Sequence, residues 1–251
     1  MIVWRERFIA TAIHFLVTLL LAGIAAALIF LVWFPEPLQT MVGGSGLFLL
    51  VVGCDLALGP LMSLVIYNSR KSRRELITDY AIVGVIQIGA LVYGVSVVAV
   101  ARPVFVAFNS DRYEVVLAGE IAKTELAAAT DAQYRSLPWT GPRLVAVKVP
   151  PADRSNATMQ AVLGNEEHKR PKFFVPLPEQ LERIRAKSKP LEVLEKKKPA
   201  MKPLVDSAAA RSGVPAERLA WLPVHHSKGF WTVLIDTADG KPVEWIDFDP
   251  Y

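Results

Sequence analysis

A single cysteine, Cys54, stands in 251 residues and falls inside an apolar run, so no intrachain disulfide can form. That excludes a disulfide-stapled secreted scaffold. Formal charge is missing from Phe8 to Phe34 and from Ala81 to Ala101, and Asp55 is the one charge between Leu47 and Tyr67. No lysine or arginine occurs between Pro35 and Gly46. The chain also lacks G-x-S-x-G, a phosphate-cradling glycine loop and H-E-x-x-H. His225 and His226 are adjacent, so on a strand they face opposite ways and cannot chelate one ion. Asp247 and Asp249 share a face but have no histidine or cysteine at ligand spacing. A catalytic, cofactor-binding or metal-binding role is therefore not expected.

What is present is oil and charge, kept apart. Hydrophobic residues make up 52% and charged residues 21%, which excludes disorder. Of 28 basic and 24 acidic residues, seven and five precede Pro103. The net charge of +4 divides evenly between the two parts, so the high pI is no sign of nucleic-acid binding.

Crossing a hydrocarbon layer takes roughly 20 apolar residues in a helix. Phe8 to Phe34, Leu47 to Tyr67 and Ala81 to Ala101 each satisfy this. The first run is longer than the h-region of a signal peptide and is read as a retained span. The connection from Asn68 to Tyr80 carries Arg70, Lys71, Arg73 and Arg74, whereas the earlier one carries no cation. By the distribution of basic residues the later connection and the N-terminus are cytoplasmic, and everything after Arg102 lies outside. The predicted fold class is a three-helix transmembrane domain over 1–102, followed by a small periplasmic α+β domain over 103–251.

An ionised carboxylate at a helix centre costs at least about 2.5 kcal/mol in a bilayer, so Asp55 must be protonated or paired. His14 and Gln87 are the candidate partners. Pro60 cannot donate to the carbonyl of Leu56 and predicts a bend eased by Gly59. This group reads either as an interhelical hydrogen bond that holds the bundle together or as a docking point or proton-sensitive site. Arg102, at the periplasmic border, is placed to meet lipid phosphate.

Beyond the spans, Val104 to Phe108 and Arg112 to Leu117 predict a hairpin. Gly119 to Ala129 has helical composition, and Arg143 to Val149 alternates as a half-buried strand. Residues 165–202 hold eleven Lys or Arg against six Glu, with five prolines. That segment reads as a basic, Pro-rich connector, its excess charge either solvated or turned to anionic headgroups or an acidic partner. A helix over Val205 to Ser212 and β-rich runs at Leu222 to His225, Phe230 to Asp236 and Val243 to Phe248 follow. Asp239-Gly240 between the last two signals a hairpin.

Trp33-Phe-Pro-Glu-Pro-Leu38, the Gly53-Cys-Asp-Leu-Ala-Leu-Gly-Pro60 core of the second span and Arg73-Arg-Glu-Leu76 resemble the TfpX/TfpZ type IV pilin accessory proteins. So do Ala101-Arg-Pro-Val-Phe105, Asp111-Arg-Tyr113 and the ending from Leu222-Pro223 to Asp249-Pro-Tyr251. The likeness covers roughly Trp33 to Val116 and the last thirty residues. It implies an inner-membrane accessory of pilus assembly whose partner is a type IV pilin. The expected partner-binding residues are Asp55, Pro60, Gly59, His14, Gln87 and Arg102, with membrane lipid as the other contact and self-association left open. A membrane-anchored sensor would need a cytoplasmic output surface larger than a thirteen-residue loop. A small transporter subunit would need more than one buried charge.

Overall fold

The computed structural model describes residues 3–68 and 71–251, without the side chains of residues 3, 47, 50, 51, 54 and 55. The chain divides into two compact units, Met1–Ala101 and Arg102–Tyr251.

In the first unit, helix α1 runs Val3–Ala27 and continues as a π-helical turn, Leu28–Trp33. A short helix α2, Leu38–Val42, ends on Gly43 in the left-handed region, and α3, Gly44–Ile66, starts at once. Helix α4 spans Arg73–Ala101. Helix α3 packs against both α1 and α4. Two stretches, Trp4–Trp33 and Arg73–Ala101, are long and apolar enough to cross a membrane by length and composition. Leu16, Leu20 and Ile24 on α1 and Val85, Ile86 and Val92 on α4 are exposed, while Ala22, Ala25, Gly94 and Val98 are buried. Large side chains also pack inside, with Ile29, Trp33, Phe34 and Val98 forming a core cluster, so the unit combines an internal core with an apolar outer surface.

Two boundaries differ from the sequence expectation. The first connection holds α2 and the start of α3 rather than open loop. In the second, Arg73 and Arg74 form the first turn of α4 instead of lying in a loop. The reason is a reciprocal cap: Glu75 N–H donates to Ser72 Oγ at 3.3 Å and Ser72 N–H to Glu75 Oε2 at 2.8 Å. Arg70 lies outside the described residues.

The second unit carries one sheet of seven strands: β1 Pro103–Asn109, β2 Arg112–Leu117, β3 Arg143–Val147, β4 Phe174–Val175, β5 Leu219–His226, β6 Gly229–Asp236 and β7 Pro242–Ile246. Their order is β4-β3-β1-β2-β5-β6-β7. Three hairpins are local, β1–β2, β5–β6 and β6–β7. Two parallel pairings, β1 with β3 and β2 with β5, join these into one open sheet, and β4 adds to β3 antiparallel at its edge. Central β1 is buried on both faces except at its last residue, which is why it reads as an unbroken apolar run rather than an alternation. Helices α5 Lys123–Ala127, α6 Arg154–Val162, α7 Leu181–Lys187, α8 Leu191–Lys197 and α9 Lys202–Ser212 occupy the connections.

One core cluster joins Phe105, Val116, Tyr134, Val145, Phe173 and Phe174. Another joins Leu194, Val205, Ala208, Trp221, Leu234 and Ile246. Residues 165–202 are thus no loose connector, and that expectation is corrected. Phe173, Phe174, Ile184 and Leu194 are buried, Lys189 exchanges both backbone bonds with Trp221 at 3.1 and 2.9 Å, and Trp221 Nε1 donates to the Pro190 carbonyl. The apolar residues are spaced too widely among lysines to register as a periodic pattern, yet each is placed by a short helix or turn against the sheet. Tyr113 O–H donates to the Gly240 carbonyl, tying the β1–β2 hairpin to the Asp-Gly turn. Burial and nearby Asp239 push the Tyr113 phenol well above its ordinary range.

Candidate functional site

Within the helical unit, two of the polar side chains that sequence reading singled out, His14 and Gln87, meet. His14 on α1 and Gln87 on α4 touch: His14 Nε2 and Gln87 Oε1 are 2.7 Å apart. A carbonyl oxygen only accepts, so this arrangement puts the ring proton on Nε2. His14 Nδ1 lies 2.7 Å from Ser63 Oγ on α3, and Ser63 in turn reaches Tyr80 O–H at 3.2 Å. Ser63 and Tyr80 were not anticipated. They share helix faces with Gly59 and Gln87 respectively, at spacings of four and seven, so a search outward from those residues could have found them.

Gly59 is where α3 comes close to side chains of α1 and α4. A Cβ on it would stand 2.7 Å from Gln87 Nε2, 3.3 Å from Thr18 Oγ1 and 3.4 Å from His14 Nε2. Helix α3 continues unbroken through the neighbouring Pro60. The side chain of Asp55, the expected partner of His14 and Gln87, lies outside the described residues. Thr18 Oγ1 donates back to the His14 carbonyl at 3.0 Å.

Beside this cluster is a cavity of about 140 Å³, lined by His14, Thr18 and Gln87 together with Val52, Gly84 and Leu91. Gln87 Nε2 is buried there without a hydrogen-bond partner among the described residues. An unmet buried donor costs about 1–3 kcal/mol, so a group supplying an acceptor at this point would be favoured.

Arg102 belongs to the second unit: its carbonyl accepts from Ala118 N–H at 2.9 Å and its guanidinium reaches the Pro138 carbonyl at 3.4 Å. Burial lowers its affinity for the proton.

A second set of titratable groups, unforeseen in the sequence, gathers near the β1–β2 turn. Glu114 is buried on β2, with His225 Nδ1 on β5 at 2.7 Å and Arg112 Nε at 3.8 Å. Burial raises the Glu114 carboxyl, and the His225 contact holds it partly back. His168 is pushed down to about 4, chiefly by burial and then by Lys169 beside it. His226, on the opposite face from His225, is buried and accepts from Lys228 N–H at 3.3 Å. Among the described residues no group of three or more His, Cys, Asp or Glu could hold a metal ion.

No solved structure matches the chain. Known sequences do. The chain is 32% identical over 240 residues to the fimbrial assembly protein of Dichelobacter nodosus serogroup I, covering 92% of this chain and 93% of that protein. The serogroup E1 protein matches at the same identity and coverage. This chain belongs to the fimbrial assembly protein family. The counterpart from serogroups C1 and C2 is 38% identical over 129 residues, half of this chain and 98% of its own length. A family model described as fimbrial assembly protein FimB matches residues 2–43, the part that contains α1, its π turn and His14.

Proposed function

We propose that this member of the fimbrial assembly protein family is a type IV pilin accessory factor of the TfpX/TfpZ kind, acting without catalysis as a membrane-bound chaperone or assembly factor. Helices α1, α3 and α4 cross the inner membrane with the N-terminus in the cytoplasm, and Arg102–Tyr251 stands in the periplasm. The orientation rests on Arg70 and Lys71 between α3 and α4 together with Arg73 and Arg74 in the first turn of α4. The observation that carries the reading is a match to proteins named for fimbrial assembly that runs over nearly the whole chain, both units included.

A pilin waiting in the membrane has an apolar helix in the bilayer and a head outside it. The helical unit would take the first at the cavity beside His14, Gly59 and Gln87, where the Gln87 amide, unmet among the described residues, offers a donor. The sheet unit would meet the second. Photocrosslinkers placed at positions flanking Asp55 are expected to capture pilin in cells. Capture from the periplasmic unit alone removes the helical groove from the scheme. Deleting the gene distinguishes the step: normal pilin with few fibres marks assembly, loss of pilin marks stabilisation, and normal pilin with normal fibres overturns the proposal.

A further inference from the structure

One end of the sheet unit carries a basic recess that neither the polar cluster nor the Glu114 group uses. It lies between α6, α7 and the edge strand β4, has a volume of about 650 Å³, and continues into a second hollow of about 430 Å³ beside the β1–β2 turn. Arg154 and Arg183 line both. Phe174, Val175 and Val149 give the larger hollow an apolar floor, and Pro150, Pro151 and Pro176 stiffen its walls.

The charges there are unbalanced in a specific way. Lys148 is paired with Glu179 at 3.2 Å and Lys172 with Asp153 at 3.3 Å. Asp131 accepts from the backbone and side chain of Gln133. Glu167, in the smaller hollow, is the remaining carboxylate. Arg154 and Arg183 are exposed and make no ion pair or side-chain hydrogen bond among the described residues. Arg154 is moreover the first residue of α6, the positive end of the helix dipole, where a cation is disfavoured. Asp153 does not relieve it, since its carboxylate goes to Lys172 and leaves α6 without a side-chain cap. Two arginines converging on one recess, neither held by a carboxylate among the described residues, are complementary to carboxylates.

Helix α6 adds an apolar element. It buries Ala157, while Met159, Val162 and Leu163 are 66, 83 and 73% exposed at i, i+3, i+4 spacing. In a unit with a well-formed core, such a stripe marks a contact surface. A membrane-surface helix would carry lysines and arginines along its polar face, and α6 has Arg154 alone. The arginines also sit on the walls of a hollow, which suits an inserted chain rather than a flat array of headgroups.

We propose that this recess and the outer stripe of α6 dock an extended polypeptide segment bearing carboxylates flanked by apolar side chains. The inference rests on the reading of the sheet unit as the part that meets the fibre subunit, and it names the chemistry by which that subunit is held.

The test uses the full chain in phosphatidylcholine nanodiscs and a fluorescein-labelled peptide, Gly-Glu-Leu-Asp-Glu-Leu-Gly, read by anisotropy. Binding is expected to weaken at least tenfold in R154E/R183E and severalfold in R154Q/R183Q, and to weaken likewise for the Gln/Asn form of the peptide. K187E/K196E, the same change of charge on α7 and α8, is expected to bind within twofold of wild type. Equal binding by wild type and R154E/R183E, or none by wild type, overturns the proposal. A polarity-sensitive dye at Leu163→Cys (with Cys54→Ala) that shifts to the blue in nanodiscs with phosphatidylglycerol and no peptide assigns the surface to lipid, which also overturns it. Pulldown of the fibre subunit separates the two readings. Equal capture by wild type and R154E/R183E refutes this surface while leaving the accessory role standing. Peptide binding without capture by wild type refutes the accessory role and leaves the surface standing.

Discussion

Gly59 offers the sharpest test of how the helical unit is held together. In Gly59→Ala the new methyl would lie 2.7 Å from Gln87 Nε2, closer than nonbonded atoms tolerate, so the Gln87 amide must swing away. Doing so breaks its 2.7 Å bond to His14. Interhelical hydrogen bonds in membrane proteins average about 0.6 kcal/mol and reach about 1.7, while overpacking a well-fitted contact adds about 1–3 kcal/mol. Gly59→Ala is therefore expected to destabilise the unit by about 2 kcal/mol. Gln87→Ala removes both the obstacle and the bond, so Gly59→Ala introduced on that background should cost about 1 kcal/mol less. The cycle can be read by unfolding in mixed micelles of dodecyl sulfate and a mild detergent, with the four proteins side by side. An unchanged cost of Gly59→Ala in the two backgrounds would refute the proposed contact between α3 and α4 and with it the polar cluster as the organiser of the cavity.

Three further outcomes follow from the rest of the molecule. Ile184→Ala on α7 should cost about 2–5 kcal/mol in thermal unfolding, since the side chain is fully buried against the Asp239-Gly240 turn; a cost under about 0.5 kcal/mol would return residues 165–202 to the solvent. Ser72→Ala should cost about 1 kcal/mol and fray the first turn of α4, visible as faster amide exchange at residues 73–76; unchanged exchange would rule out the cap. The third concerns pH. Because folding lowers His168 from 6.5 to about 4, the unfolded chain binds the extra proton as pH falls through that interval, so the stability this residue contributes is present above about pH 6.5 and lost by about pH 4. At 1.36 kcal/mol per unit the loss is at most about 3 kcal/mol. Glu114, whose carboxyl is raised by burial, works against it by gaining stability on acidification. His168→Gln should flatten the slope of stability between pH 6.5 and 4, and an identical slope in the variant would show that His168 is not buried neutral.

Much of the helical unit was legible because long runs without charge leave little choice. A run of about 20 residues without charge can satisfy its backbone only as a helix. His14, Gln87 and Gly59 stood out because polar or very small residues are costly or conspicuous in such runs. That His14 would bond Gln87 through Nε2 and Ser63 through Nδ1 was not legible, since it depends on the rotation of three helices about their own axes. The start of α4 lies earlier than the expected loop allows, and its signal is local: Ser72-Arg-Arg-Glu75 is a capping box. The hairpins of the sheet unit were legible from short-range signals such as Asp239-Gly240. The partner of β1 across residues 105–108, the burial of Phe173 and Phe174, and the meeting of Glu114 with His225 were not. Each joins residues far apart in the chain, where no local pattern records the pairing.

The sequence by itself determined where the oil ends and the charge begins, which segments must be helices, and which stretches turn back on themselves. Those follow from the solvation of the backbone and from steric preference within a few residues. The tertiary structure alone decided that β3 and β5 would flank the first hairpin in parallel, that a basic, proline-rich stretch would be built into the core, and that Arg154 and Arg183 would face one hollow, unpaired among the described residues. Such outcomes depend on how distant surfaces fit when packed to near-crystalline density, and that fit is a property of the assembled shape rather than of any window of the chain.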